Sequence, residues 1–577
     1  MMRLWSMTDS DTSASNPDKR KRVGEAAERR QREGPSGQGI TFSKEEIEAE
    51  ERRPKRKVAV LIGYSGTGYK GMQISGTEKT IEGDLFQAFI RAGAIAKANA
   101  EDPKKSSLVR CARTDKGVHA AGNMISLKLI VEDEDIVEKI NAELGPQIRV
   151  WGIERTIGSF SCYQACDSRW YEYLIPSHAF LPPHPSSWLA KQMEAAADEV
   201  GDREGYESRQ QEVKGFWEKV DEEDIKPILE SIDEDIRFEV VRALQGEAEA
   251  QAKAIKGDSN VEQPAQARKA LEQQGAEGGK TEEAAIIINE GKSDDSKSAQ
   301  AQDTTNTNAE DPTAESAASL MQAKEGEQPV DTGTERVLRL RAATKLLRNA
   351  YIAARRRYRI PSSRVQRVQE ALDKFVGTKN YHNYTIQKSF KDPSAKRHIK
   401  SFVANPKPIL IGDGPDENKT EWLSLKVHGQ SFMMHQIRKM IGMVTLLVRS
   451  GSNLETMDKS FTETRFSIPK VPGLGLLLER PVFDSYNSNQ AIKHGRDQLD
   501  FGKYEKELEA FKETEIYQRI FREEEEQNEF GRFFNHVDNF KEAYFLFVTS
   551  KGVDAIKDIE RKGTSYESEG EDVKDEE

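Results

Sequence analysis

The 577-residue chain sets 86 Lys and Arg against 98 Asp and Glu, a formal net charge of -12, with 32% charged residues and a mean hydropathy of -0.74. That is too polar for a chain folded throughout, and no apolar run is long enough to cross a bilayer, so folded parts alternate with polar segments and no membrane partner is expected. The three cysteines, Cys111, Cys162 and Cys166, form no staple pattern and lack a histidine pair to complete a zinc spacing, which points to a reducing, intracellular compartment without a structural metal.

Residues 1–55 are rich in Ser, Asp, Glu, Arg and Gly without periodicity, and read as a disordered tail. It carries two basic runs, Lys19-Arg20-Lys21-Arg22 and Arg52-Arg53-Pro54-Lys55-Arg56-Lys57, of the kind that serve nuclear import, or merely solubilise. Folding is expected to start with the apolar strand Val58–Tyr64, followed by the glycine-rich loop Ser65–Gln73, which fits neither the dinucleotide nor the P-loop spacing. Ile81, Leu85, Phe86 and Phe89 then mark one face of a helix.

Next comes Arg113-Thr114-Asp115-Lys116-Gly117-Val118-His119, a turn between a strand ending near Ala112 and one in which Ile125, Leu127 and Leu129 alternate with Ser126 and Lys128. Gly117 suits the positive φ of a tight turn. A carboxylate framed by Arg113 and Lys116 stays ionised and faces an anion-friendly groove. Both a nucleophile acting on a phosphate-bearing substrate and a solvated turn aspartate fit this pattern. Farther on, Tyr171 and Tyr173 point to one face of a strand, as core aromatics or as a base-stacking platform.

Residues 183–242 keep enough apolar side chains for a helical insertion. Between Phe238 and Tyr351 no aromatic ring occurs, and 243–335 reads as a disordered low-complexity insertion. A basic helix from Arg336 through Arg357 follows, with Glu335 its only acid nearby in sequence and a phosphate-facing surface expected. After Gly377–Thr385, the strand Leu423–Val427 gives way to a helix with Met433, Ile437, Ile441, Val444 and Val448 at helical spacing, leaving His435 and Arg438 off the stripe. The apolar run Pro472–Leu478 comes next, then an aromatic-rich helical extension over 487–550 and an acidic tail over 551–577.

Five of these stretches stand in the order of a known family. The runs Tyr69–Gln73, Cys111–Ala120, Arg169–Tyr173, Phe432–Gly442 and Pro472–Leu478 resemble the motifs of the TruA-type tRNA pseudouridine synthases, and Gly377–Thr385 takes the form usual among their eukaryotic members. The resemblance implies the α+β pseudouridine synthase fold: halves at 56–182 and 336–486 whose sheets join across a central RNA-binding cleft. It implies Asp115 as the catalytic nucleophile, Arg438 as the partner that keeps its carboxylate ionised, and Tyr171 stacked on the target uracil. Arg113 would fill the space of the flipped base, and His119 and Leu476 would line the substrate site.

Uridine isomerisation breaks C1′–N1 and makes C1′–C5 without redox change or hydrolysis, so no cofactor and no metal is needed. Asp115 would attack C6 of the base or C1′ of the ribose, after the base has left its stack. The substrate implied is tRNA, with small nuclear and messenger RNA left open; the chain is expected to act as a monomer in the nucleus. One alternative is an RNA-binding chaperone of the same fold without chemistry. The other, a glycosidase or phosphatase, needs a second carboxylate or a metal beside the nucleophile, and neither is evident next to Asp115.

Overall fold

The computed structural model describes residues 39–255 and 333–556. The first basic run, most of the 243–335 insertion and most of the acidic tail lie outside the described residues. Within the tail expected over 1–55, the described part holds a short helix, Lys44–Glu48, capped by Ser43 and Glu46.

Among the described residues ten strands make one sheet: β1 (Arg56–Tyr64), β2 (Val109–Arg110), β3 (His119–Leu129), β4 (Ile148–Arg155), β5 (Ser168–Pro176), β6 (Gly377–Asn380), β7 (Lys396–Ala404), β8 (Ile409–Ile411), β9 (Thr420–Gly429) and β10 (Leu476–Val482). Their order is β4-β1-β3-β10-β5-β9-β7-β6, with β2 on β3 and β8 on β9. Every pairing is antiparallel except that of β10 with β3. The α+β fold is thus built on a single mixed sheet.

Its seam does not follow the chain. β5 precedes the long insertion, yet it pairs with β9 beyond it, Tyr171 opposite Val427 and Tyr173 opposite Leu425. β10 slots between β3 and β5, with Leu477 opposite both His119 and Glu172. A continuous run such as Leu476-Leu477-Leu478, buried on both faces, suits a strand flanked on both edges.

Helix α1 (Ile81–Arg91) starts at Thr80, whose hydroxyl accepts from Gly83 N at 3.2 Å, and buries Ile81, Leu85, Phe86 and Phe89. Helix α2 (Ser362–Asp373) packs on β7 and on α3 (Gln436–Arg449). α3 is buried nearly all round, as a central helix must be, and even Lys439 and Arg449 are buried.

The extension after 487 forms α4 (Glu505–Phe511), α5 (Gln518–Gln527) and α6 (Glu529–Asp538). It holds β5 from both sides. Tyr517 Oη donates to Glu172 at 2.6 Å, while on the alternate face the Phe530 ring meets Tyr173 edge-on at 6.2 Å. Arg449 and Asp538 form a buried two-bond pair between α3 and α6.

The described chain divides into two compact units, and the sheet with every residue of the site belongs to the larger. The smaller contains Ile228–Gln245 and the first part of helix Gly333–Arg356, up to Arg348. There Arg336 pairs with Glu239 at 2.9 Å and Arg339 with Asp233 at 2.8 Å. These two arginines, expected to face phosphate, are neutralised by acids about a hundred residues upstream. On this helix Leu338 and Leu346 are exposed, and Leu347 is buried.

Candidate active site

Asp115 rides on the turn between β2 and β3, closed by Val118 N donating to Asp115 O at 3.1 Å, with Gly117 at φ 76°. Behind the turn lies a buried polar network. Thr114 Oγ1 and Tyr64 Oη are 2.9 Å apart, and Asn123 Nδ2 donates to Tyr64 Oη and to Ala112 O, each at 3.1 Å. A fully satisfied network of this kind holds a loop in one position.

The glycine-rich loop splints the same turn from the other side. Met72 N donates to Thr114 O at 3.1 Å. A β-carbon at Gly66 would sit 2.2 Å from Val118 O, and one at Gly71, whose φ is +111°, 2.8 Å from Thr114 O. Only glycine lets the two backbones approach this closely. The loop therefore supports the aspartate.

The Asp115 carboxylate keeps 44% of its side-chain surface open and faces α3. His435 Nδ1 lies 3.2 Å from Asp115 Oδ2. That contact, with weaker attraction from Arg438 and Lys470, holds the carboxyl below the usual range against the opposing effect of burial. Arg438 makes no hydrogen bond or ion pair with Asp115. Its Nε donates to Val471 O at 2.7 Å, and its guanidinium attracts the carboxylate from farther away. The direct pairing expected from the sequence is thus replaced by His435, because Arg438 is one turn farther along the helix and is bound to the backbone before β10.

Tyr171 is buried and its ring packs edge-on against Phe432 at 5.2 Å; burial pushes its phenol up to about 12, so the hydroxyl keeps its proton at neutral pH. Tyr173 Oη donates to Pro472 O at 2.7 Å, and Leu476 opens β10 opposite Tyr173. Asp115, Tyr171 and Arg438 are thus brought together by the β2–β3 turn, β5 and α3, with Leu476 on the adjoining strand β10. Arg113 is exposed on the turn beside Asp115. His119 is buried at the start of β3, where Nδ1 accepts from Gly66 N at 3.2 Å, and burial lowers its pKa to about 3. A neutral imidazole bound to the glycine-rich loop is a brace, and it occupies a different place from the substrate-lining role expected of it.

The sequence left His435, Lys470 and Phe432 without a role. The only trace of His435 was its position three residues before Arg438 at a helix start. Gly377–Thr385 explains part of its setting. Thr385 Oγ1 donates to Met434 O at 3.0 Å, and Lys439 Nζ donates to Thr385 O at 3.0 Å, so this motif buttresses the start of α3.

The site thus holds an ionised, accessible aspartate beside a buried aromatic ring and flanking cations, on a mixed α+β sheet. The chain belongs to the tRNA pseudouridine synthase family, a family of isomerases. Residues 371–484 match that family. The chain is 38% identical over 532 residues to tRNA pseudouridine synthase 1 of Yarrowia lipolytica, covering 91% of this chain and 82% of that protein. It is 39% identical over 515 residues to the protein of that name from Schizosaccharomyces pombe, 87% of each chain. It is also 30% identical over 430 residues to tRNA pseudouridine(27/28) synthase of Saccharomyces cerevisiae, 74% of this chain and 85% of the other.

Proposed function

We propose that this chain isomerises uridine to pseudouridine in tRNA, with Asp115 as the nucleophile. The observation that carries the reading is the carboxylate itself, kept ionised by His435, Arg438 and Lys470 while still open to substrate. A flipped uridine sets its ring against Tyr171, and exposed Arg113 enters the space it leaves. Asp115 attacks C6 of the base or C1′ of the ribose. The C1′–N1 bond breaks, uracil turns, C1′–C5 forms, the bond to Asp115 is released to restore the carboxylate, the C5 proton departs and N1 takes up a proton. Small nuclear and messenger RNA are further candidate substrates, through the same recognition of a flipped uridine.

We place the enzyme in the nucleus on the basic run Lys19–Arg22. The second run is partly engaged in the fold, where Arg53 pairs with Asp133 and Arg56 with Glu132. Nucleoside analysis of tRNA incubated with the full chain tests the reaction. Pseudouridine must accumulate with wild type. Free uracil or released phosphate would mean a different chemistry, and unchanged RNA a binding protein.

A further inference from the structure

His435 stands out twice, and the two observations are independent. It is one of four non-glycine residues with positive φ among the described residues, at φ 60°, immediately before α3. That conformation is uncommon for a histidine and persists when the surroundings enforce it, most often at functional positions. Its buried Nδ1 also lies 3.2 Å from the one carboxylate that the proposed chemistry uses, within ion-pair reach, and is aligned for a hydrogen bond to no described group, so it is a polar atom left for that carboxylate to engage.

The surroundings that enforce it are visible. Thr385 holds Met434 O from one side, Gln436 N donates to Met433 O at 3.1 Å, and Gln436 Oε1 accepts from Met433 N at 2.9 Å. The backbone is tied on both sides of His435, and the ring is carried toward Asp115 Oδ2.

We propose that His435 is the positioning residue of the nucleophile: a proton on Nδ1 holds Asp115 Oδ2, which fixes the carboxylate and leaves Oδ1 for attack. This inference rests on the function proposed above. The other groups facing the carboxylate are Arg438 on α3, Lys470 on the loop before β10 and Tyr171 on β5. Arg438 is occupied by Val471 O, and Lys439 is turned to Thr385 O. The assignment differs from a general electrostatic role because it needs a donor at one atom on a backbone in one conformation.

Two substitutions separate these needs. Asparagine accepts the left-handed backbone and places an N–H near the position of Nδ1; glycine accepts the backbone and supplies no donor. Single-turnover pseudouridine formation at saturating tRNA is measured against pH for wild type, His435→Asn, His435→Gly and His435→Ala, with tRNA affinity measured in parallel. Losing the donor lets Asp115 take up a proton more readily, so in His435→Gly the acid limb should move to higher pH and the rate below it should fall ~10-fold or more. His435→Asn should stay near the wild-type profile, and tRNA affinity should be unchanged in both. His435→Ala should move the acid limb as glycine does, which covers the case in which glycine loosens the helix start.

A wild-type acid limb in His435→Gly and His435→Ala would overturn the proposal. So would equal losses in the asparagine and glycine variants with the acid limb fixed. Asp115→Asn is the control. If wild type forms pseudouridine, Asp115→Asn does not, and the histidine variants match wild type, only the role of His435 falls. If wild type forms none, both readings fall.

Discussion

At the residue scale, the ranking of charges around Asp115 decides what each substitution does. His435 dominates by contact, while Arg438 and Lys470 act from farther away. Arg438→Ala should therefore raise the acid limb of the single-turnover rate by less than His435→Gly, which profiles measured side by side would show. Arg438→Lys keeps the charge but loses the planar Nε donor to Val471 O, so its rate should fall although the acid limb barely moves. Tyr171 contributes ring and hydroxyl separately. With its pKa near 12 the phenol is a neutral donor at neutral pH, so Tyr171→Phe should leave the acid limb in place and retain more rate than Tyr171→Ala. Equal rates for those two variants would deny the ring a stacking role.

At the element scale, the carboxy-terminal extension clamps the far end of α3 through buried charges. Asp538 on α6 satisfies Arg449 on α3, whose Nε also donates to Leu181 O at 3.1 Å. Asp538→Ala leaves that buried guanidinium partly unpaired and should cost about 3–5 kcal/mol in denaturant unfolding. A loss below about 1 kcal/mol would mean that water replaces the carboxylate.

Glu524, at the end of α5, is buried; one oxygen accepts from Phe530 N at 3.0 Å and burial pushes its pKa from 4.5 up to about 8. A folded-state pKa above the unfolded one gives stability that is present below pH ~4.5 and lost as pH rises toward ~8. Glu524→Gln keeps an acceptor without the charge. It should match wild type in stability near pH 4 and exceed it near pH 9 by up to roughly 5 kcal/mol, at ~1.4 kcal/mol per tenfold change in proton affinity. Thermal melts at the two pH values check this, and a difference independent of pH would contradict it.

The whole molecule shows which features were legible in the linear chain. The Asp115 turn, the Tyr171 strand and the α3 helix each announce themselves by local alternation or helical spacing, so their elements could be read directly. The seam could not. Nothing local says that Leu476–Leu478 inserts between strands from the amino-terminal half, or that β5 belongs beside β9; those pairings depend on burial across the insertion. The splint was equally hidden, because Gly66 and Gly71 are needed only where Val118 O and Thr114 O approach them. The phosphate-facing expectation for Arg336 and Arg339 failed for a related reason: their acids are distant in sequence and near in space.

The central claim is that Asp115 drives an isomerisation that replaces the hydrogen at C5 of uridine. It is tested most directly with a tRNA transcript carrying tritium at C5 of its uridines, incubated with the full chain and with Asp115→Asn. Wild type should release tritium to water in a one-to-one ratio with pseudouridine formed, and Asp115→Asn should release none while still binding the transcript. Tritium release by Asp115→Asn at the wild-type rate would contradict the account.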